Sequence, residues 1–199
     1  TGTGGKLGSY TAAELKGRCD ISGFDARPGN SDIAQKIGDI TDAAAMTDAC
    51  KGKDAVIHIA ARPNIWSGSG DEIVRVNTMG VWNVLNAAEA TGVRRVVLCS
   101  SDSVVGFTVM SGGLKPPDYL PIDTAHPLRP TDPYAISKQL GEDIGRAFVT
   151  RGKLEVIVLR PVFVLYPDME GEVKARAADP AHYRGVAAGG PNPAGGGPA

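Results

Sequence analysis

Short unbroken apolar runs alternate along this chain with longer segments whose apolar residues recur every three or four positions. Ala55-Val56-Ile57-His58-Ile59-Ala60, Val96-Val97-Leu98-Cys99 and Leu154-Glu155-Val156-Ile157-Val158-Leu159 are runs of the first kind. A parallel strand buried on both faces requires such a run. Between the first two, Asn77 to Ala90 places Val81, Val84, Leu85 and Ala88 at helical spacing, and Gly92 follows where a left-handed cap is wanted. Between the second and third, Asp132 offers an N-cap and Pro133 a first-turn position for a helix running towards Gly152. Asp20 to Phe24 reads as a further strand. The alternation predicts a doubly wound α/β sheet of parallel strands, a Rossmann-type fold with right-handed crossovers.

The two ends read differently. A glycine-rich phosphate loop follows a strand in such folds, yet here the glycines open the sequence. The expectation is that a first strand, and most of a substrate domain, lie outside it. Gly185 to Ala199 is mostly Gly, Ala and Pro, too poor in apolar surface to order itself, and reads as a loop or tail. The 199 residues thus divide into a nucleotide-binding domain with the candidate catalytic residues, 1–167, and the start of a substrate region, 168–199.

Composition narrows the partners. A net charge of −1 with 42% hydrophobic residues is ordinary for a globular chain and gives no electrostatic reason to expect nucleic acid. No apolar run approaches the roughly 18 residues of a membrane helix, and no signal peptide is expected. Cys19, Cys50 and Cys99 are odd in number and far apart, so neither a disulfide framework nor a metal site is expected, and a reducing cytoplasmic setting is.

Gly2, Gly5 and Gly8 are spaced three apart. A dinucleotide site needs a tight turn, a close approach of backbone to pyrophosphate and a helix start whose free N–H groups face the anion. A flexible glycine-rich terminus would look the same. A triphosphate-binding loop is excluded, because Leu7 stands after Lys6 where Ser or Thr is needed. Asp25, about 20 residues beyond the loop, is placed to accept hydrogen bonds from the adenosine ribose. An acid there repels a 2′-phosphate and favours NAD, while Lys6 and Arg27 keep NADP possible.

Tyr134 and Lys138, four apart on the helix opened by Pro133, share a face. An ammonium beside a phenol favours the phenolate, which can then act as a base nearer neutral pH. Ser100 and Ser101 close the preceding strand, the edge where ligands bind in open α/β sheets.

Five motifs then follow in order: Thr1-Gly2-x-x-Gly5-x-x-Gly8, His58-Ile59-Ala60-Ala61, Asn77-Thr78-Met79-Gly80, Ser100 to Gly106, and Tyr134-Ala135-Ile136-Ser137-Lys138. Over Thr1 to Pro167 the chain resembles the extended short-chain dehydrogenase/reductase group, the NAD-dependent epimerase/dehydratase family. The resemblance implies that Tyr134 moves the substrate hydroxyl proton, Ser101 orients that oxygen, and Lys138 binds the nicotinamide ribose and lowers the pKa of Tyr134. It implies that Asn77 holds a water linking Lys138 to solvent, and that Asp39 and Ile40 flank the adenine. Ala60 and Ala61 line the cofactor, and the backbone near Pro161 meets the nicotinamide. His58 reads as structural, and Trp66 and Trp82 as packing residues.

The implied activity is hydride transfer between NAD and a sugar or nucleotide-sugar hydroxyl, by an epimerase, placed slightly ahead, or a dehydrogenase. A homodimer is possible. A non-catalytic dinucleotide sensor and an inactive fragment are the alternatives. Departures from the family pattern are Val105 where tyrosine is frequent, Tyr166 where glycine precedes Pro167, and a long stretch, Phe107 to Arg129, expected over the substrate pocket. In the family's sugar 4,6-dehydratases an Asp-Glu pair follows the active-site hydroxyl residue. Here Asp102-Ser103 stands there, and a serine cannot be the carboxylate base, which disfavours elimination.

Overall fold

The computed structural model describes residues 1–29, 32–106 and 116–179. Helix α1 (Lys6–Leu15) precedes strands β1 (Ser22–Asp25) and β2 (Ala34–Ile37), and α2 (Ala43–Cys50) leads to β3 (Ala55–His58). Helix α3 (Gly70–Thr91), β4 (Arg95–Cys99), α4 (Pro133–Thr150) and β5 (Glu155–Leu159) complete the first compact unit, Thr1–Val162. A second unit begins at Phe163 and contains a 3₁₀ turn, Pro167–Met169, and α5 (Glu170–Ala178), neither with a buried residue. The glycine-rich tail lies outside the described residues.

Every strand pairing is parallel, as the α/β alternation requires. β1 pairs with β2, while β3, β4 and β5 form a second ladder in that order. Thr1 and Gly2 stand between the two ladders. The Thr1 amine donates to the Ile57 carbonyl at 2.6 Å, and the Gly2 N–H to that of Phe24 at 2.8 Å. Beside them β1 and β3 flank a groove of about 680 Å³ lined by Gly23, Phe24, Val56 and Ile57 and by Ala12 and Met46 of the covering helices.

The core lies between this sheet and α2, α3 and α4. Val84, Leu85, Ala88, Val96 and Phe148 are fully buried in it. Trp82 packs edge-on against Phe148 at 5.5 Å, as a packing residue should. Trp66 does not, being half exposed.

Local signals explain most element ends. Asp132 caps α4 by accepting the Ala135 N–H at 2.9 Å, and Gly92 ends α3 at φ 80°. Helix α3 begins two turns earlier than its apolar periodicity suggests. Ser69 caps it, accepting the Glu72 N–H at 3.2 Å, and Ser69-x-x-Glu72 is the sequence form of a capping box.

Candidate active site

The glycine loop is shaped by close approaches. Gly2 takes φ +84°, and a Cβ there would stand 2.6 Å from the Ala60 nitrogen at the end of β3. A Cβ on Gly8 would stand 1.9 Å from the Gly2 carbonyl oxygen, so only glycine lets α1 pack onto the loop. Gly5 is different: a Cβ there meets nothing nearer than 3.4 Å. Gly5 also caps α1 without a side chain, so no side-chain oxygen covers the helix start. An open, positive helix end with room above it fits a pyrophosphate.

Asp25 stands at the carboxyl end of β1 beside this loop. Its Oδ2 accepts the Gly4 N–H at 2.9 Å and its Oδ1 the Arg27 N–H at 3.0 Å. Two backbone donors thus aim the carboxylate, which retains lone pairs for ribose hydroxyls. Arg27 and Lys6 are exposed. Asp39 accepts the Thr41 N–H at 2.8 Å in the loop after β2. Ile40 follows, its carbonyl accepting Asn83 Nδ2 at 2.9 Å. Its side chain is buried in the core against Gly80, where a Cβ would meet Ile40 Cδ1 at 2.4 Å, so it does not present that side chain to an adenine.

The candidate proton-transfer residues gather at the carboxyl edge of β4. Ser101, the residue after Ser100, is buried and caps a 3₁₀ turn, Asp102–Val105, by accepting the Ser103 N–H at 3.2 Å. Its hydroxyl also donates to Asp102 Oδ1 at 3.2 Å and stands close enough to the Tyr134 phenol to bear on its proton. Asp102 donates its own N–H to the Pro161 carbonyl at 3.2 Å, which ties this turn to the end of β5. Burial raises the Asp102 carboxyl despite its bonds with Ser101 and the turn backbone. Ser103 is buried within the turn.

Lys138 lies one helical turn beyond Tyr134, its ammonium 5.6 Å from the centre of the Tyr134 ring and 2.7 Å from the Cys99 carbonyl oxygen, to which it donates. Burial pulls the ammonium below its ordinary value, with Cys99 partly opposing. The expectation that Lys138 lowers the phenol is not met in this arrangement. Burial pushes Tyr134 up to about 12, the neighbouring Ser101 hydroxyl opposing, and Cys99, Asp102 and Asp132 push it further up. The ammonium is engaged with a backbone carbonyl, and desolvation of the phenolate outweighs it.

Asn77 is buried on α3. It exchanges bonds with the Arg62 backbone, N–H to Oδ1 at 2.7 Å and Nδ2 to the carbonyl at 3.1 Å, and donates to Ser137 Oγ at 2.8 Å. It does not touch Lys138 directly. A cavity of about 20 Å³, lined by His58, Asn77, Ser137, Lys138 and Glu142 among others, lies between them. That volume is about one water. Ala60 and Ala61 line its other side. His58 is buried with its Nδ1 2.8 Å from the Thr1 hydroxyl, a structural position.

Glu142 escaped the sequence reading. Buried on α4, it holds Ser100 and Arg160 together. An acid at helical spacing from Tyr134 and Lys138, with an arginine closing the next strand, was its one signal. The long stretch before α4 is anchored from residue 116 on. Arg129 pairs with Asp118 and donates its N–H to the Val104 carbonyl at 2.9 Å, while buried His126 accepts the Asp118 N–H at 3.1 Å. Residues 107–115 lie outside the described part, as does any cover they form over a pocket.

Among the described residues no His, Cys, Asp and Glu cluster could hold a metal ion, and no helix is long and apolar enough to cross a membrane.

Comparison with known proteins bears on the same residues. The NAD dependent epimerase/dehydratase family matches over residues 1–185. An L-arabinose 1-dehydrogenase (NAD(P)(+)) of Haloferax volcanii is 31% identical over 172 residues, covering 84% of this chain and 67% of that protein. A uronate dehydrogenase of Pseudomonas putida is 30% identical over 169 residues, covering 80% of this chain and 58% of that protein. The crystal structure of a short-chain dehydrogenase/reductase superfamily protein from Agrobacterium tumefaciens, with NAD bound, aligns at a TM-score of 0.72 and 34% identity, covering 80% of this chain and 47% of that one. The chain spans about half to two thirds of the length of these three proteins. It is a Rossmann-type chain of the short-chain dehydrogenase/reductase superfamily, and it belongs to the NAD-dependent epimerase/dehydratase family.

Proposed function

We propose that this chain carries the cofactor site and the proton-transfer residues of a dehydrogenase that oxidises a sugar hydroxyl with NAD. The observation that carries the reading is the meeting of Ser101, Tyr134 and Lys138 at the carboxyl edge of β4, with the Lys138 ammonium 5.6 Å from the Tyr134 ring centre and bonded to the Cys99 carbonyl. Gly2, Gly5 and Gly8 with the start of α1 would hold the pyrophosphate, Asp25 the adenosine ribose, Asp39 the adenine side, and Ala60, Ala61, Lys138 and the Pro161 backbone the nicotinamide half. Bound there, NAD would supply the hydride acceptor for oxidation of the carbon that bears the hydroxyl.

The residues do the rest. Ser101 donates to or accepts from the substrate oxygen and fixes it against Tyr134. Tyr134 takes the hydroxyl proton as the carbonyl forms. Burial pushes its phenol up to about 12, against which the nearby Lys138 ammonium and the positive charge that a bound nicotinamide would add both favour the phenolate. Asn77 holds the water-sized cavity beside Lys138 in shape, through which a proton can reach solvent.

The sequence alone places epimerase slightly ahead of dehydrogenase. The two curated relatives described above are dehydrogenases of sugars, which moves the balance to net oxidation. Ser103, a buried serine where elimination needs a carboxylate, stands against a dehydratase.

An isotope experiment separates the outcomes. With a sugar deuterated at the reacting carbon, reduced cofactor carrying the label should accumulate in step with the oxidised product. Return of the label to an epimerised sugar, with no net reduced cofactor, would replace this reading with the epimerase.

A further inference from the structure

Glu142 follows Lys138 by one helical turn and Tyr134 by two, so the three share one face of α4. It is only 4% exposed, and its carboxylate reaches the ends of two strands. Oε1 accepts the Ser100 hydroxyl at 2.6 Å and Arg160 Nε at 2.9 Å, and Oε2 accepts Arg160 Nη2 at 2.6 Å. Ser100 immediately precedes Ser101, and its N–H donates to the Leu159 carbonyl at 2.8 Å. Arg160 immediately precedes Pro161, whose carbonyl receives the Asp102 N–H. One carboxylate on α4 therefore ties together the chain segments on both sides of the Ser101 hydroxyl.

Burial by itself raises the Glu142 carboxyl, but the Arg160 and Ser100 bonds outweigh it and hold the group below its ordinary range. The pair with Arg160 is thus ionic at neutral pH. Buried ion pairs are often no better for stability than apolar residues of the same volume. What a two-pronged, fully engaged carboxylate does supply is a defined geometry between the elements it joins.

We propose that Glu142 is a positioning residue: through Ser100 it sets the separation between Ser101, on the end of β4, and Tyr134, on α4. The proposal rests on the dehydrogenase reading for its kinetic consequence and on the geometry alone for its structural one. A misplacement of about 1 Å at a reacting group can lower a rate by about 10²-fold.

Ser100→Ala is the sharper variant, because it cuts the link to Ser101 and leaves the fork between Glu142 and Arg160 whole. Glu142→Gln removes the charge as well. Glu155→Gln, at the exposed pair with Arg95, is the control. The measurements are kcat and KM for the sugar across pH, and NAD affinity by titration without turnover. In Ser100→Ala kcat should fall about ten- to a hundredfold with KM and NAD affinity held within about twofold. The basic group in the rate profile should move to higher pH, since the Ser101 hydroxyl, whose proximity lowers the Tyr134 phenol, is displaced. Glu142→Gln should lose at least as much, and Glu155→Gln nothing. A Ser100→Ala enzyme with the normal rate and profile overturns the proposal, as does a loss of rate matched by an equal loss of NAD affinity. If the wild-type protein turns over no sugar, the dehydrogenase reading fails separately. The crystal structure of Ser100→Ala then decides the positioning: a Ser101 hydroxyl displaced relative to the Tyr134 phenol upholds it, and an unchanged separation overturns it.

Discussion

Lys138 spends its ammonium on the Cys99 carbonyl, 2.7 Å away, rather than on the phenol one helical turn before it. The lysine therefore does two separable things. It caps the end of β4 next to Ser100, and it supplies positive charge near the Tyr134 ring.

Substitution separates these roles. Tyr134→Phe keeps the ring and removes the transferable proton, and should lower kcat by roughly 10²–10⁴-fold with NAD still bound. Lys138→Met should lower the rate, weaken NAD, and also cost about 1–3 kcal/mol of stability, because the Cys99 carbonyl loses its partner. Rate measurements, NAD titrations and thermal melts on both variants check this. Near-normal turnover in Tyr134→Phe would remove Tyr134 from the mechanism.

If Asp25 faces the adenosine ribose as proposed, it sets cofactor choice by charge. Asp25→Asn retains a side-chain oxygen for the Gly4 N–H and keeps the loop in shape, yet removes the repulsion a 2′-phosphate would meet. Wild type should bind NAD more tightly than NADP, and the variant should narrow or reverse the difference, with Arg27 exposed nearby. Calorimetric titration of the two cofactors measures it. An unchanged ratio would show that Asp25 does not face the ribose.

His58 makes stability depend on acid. Burial first, then the nearby N-terminal amine and Lys138, hold its imidazole well below the ordinary 6.5. The folded state therefore refuses a proton that the unfolded state accepts. Stability is full above pH 6.5 and declines below it, down to the folded pKa, by up to about 1.4 kcal/mol per pH unit. Denaturant melts over a pH series should show a shallower acid decline in His58→Asn than in wild type. Parallel curves would mean that His58 takes up its proton without unfolding.

Local chemistry made much of this molecule readable in advance. Asp132-Pro133 opens α4, Gly92 ends α3, and the unbroken apolar runs mark β3, β4 and β5, because caps and periodicity act within a few residues. Strand β2, Ala34–Ile37, was not readable. It pairs only with β1 and leaves most of its residues exposed, so it carries no apolar run. Helix α2, an alanine-rich segment capped by Asp42, hid for a similar reason, burying only Met46 and Cys50. At the site the four-residue spacing of Tyr134 and Lys138 put both on one face, as any helix must. The spacing could not say that Lys138 would turn to a carbonyl, nor that burial would drive the phenol up to about 12. Desolvation depends on what other segments pack over a group, and those segments are set by the whole fold. Ile40 in the core against Gly80, and Glu142 joining residues 100 and 160, belong to the same class. Each depends on contacts between positions 18 to 42 residues apart, which only the closed tertiary structure brings together.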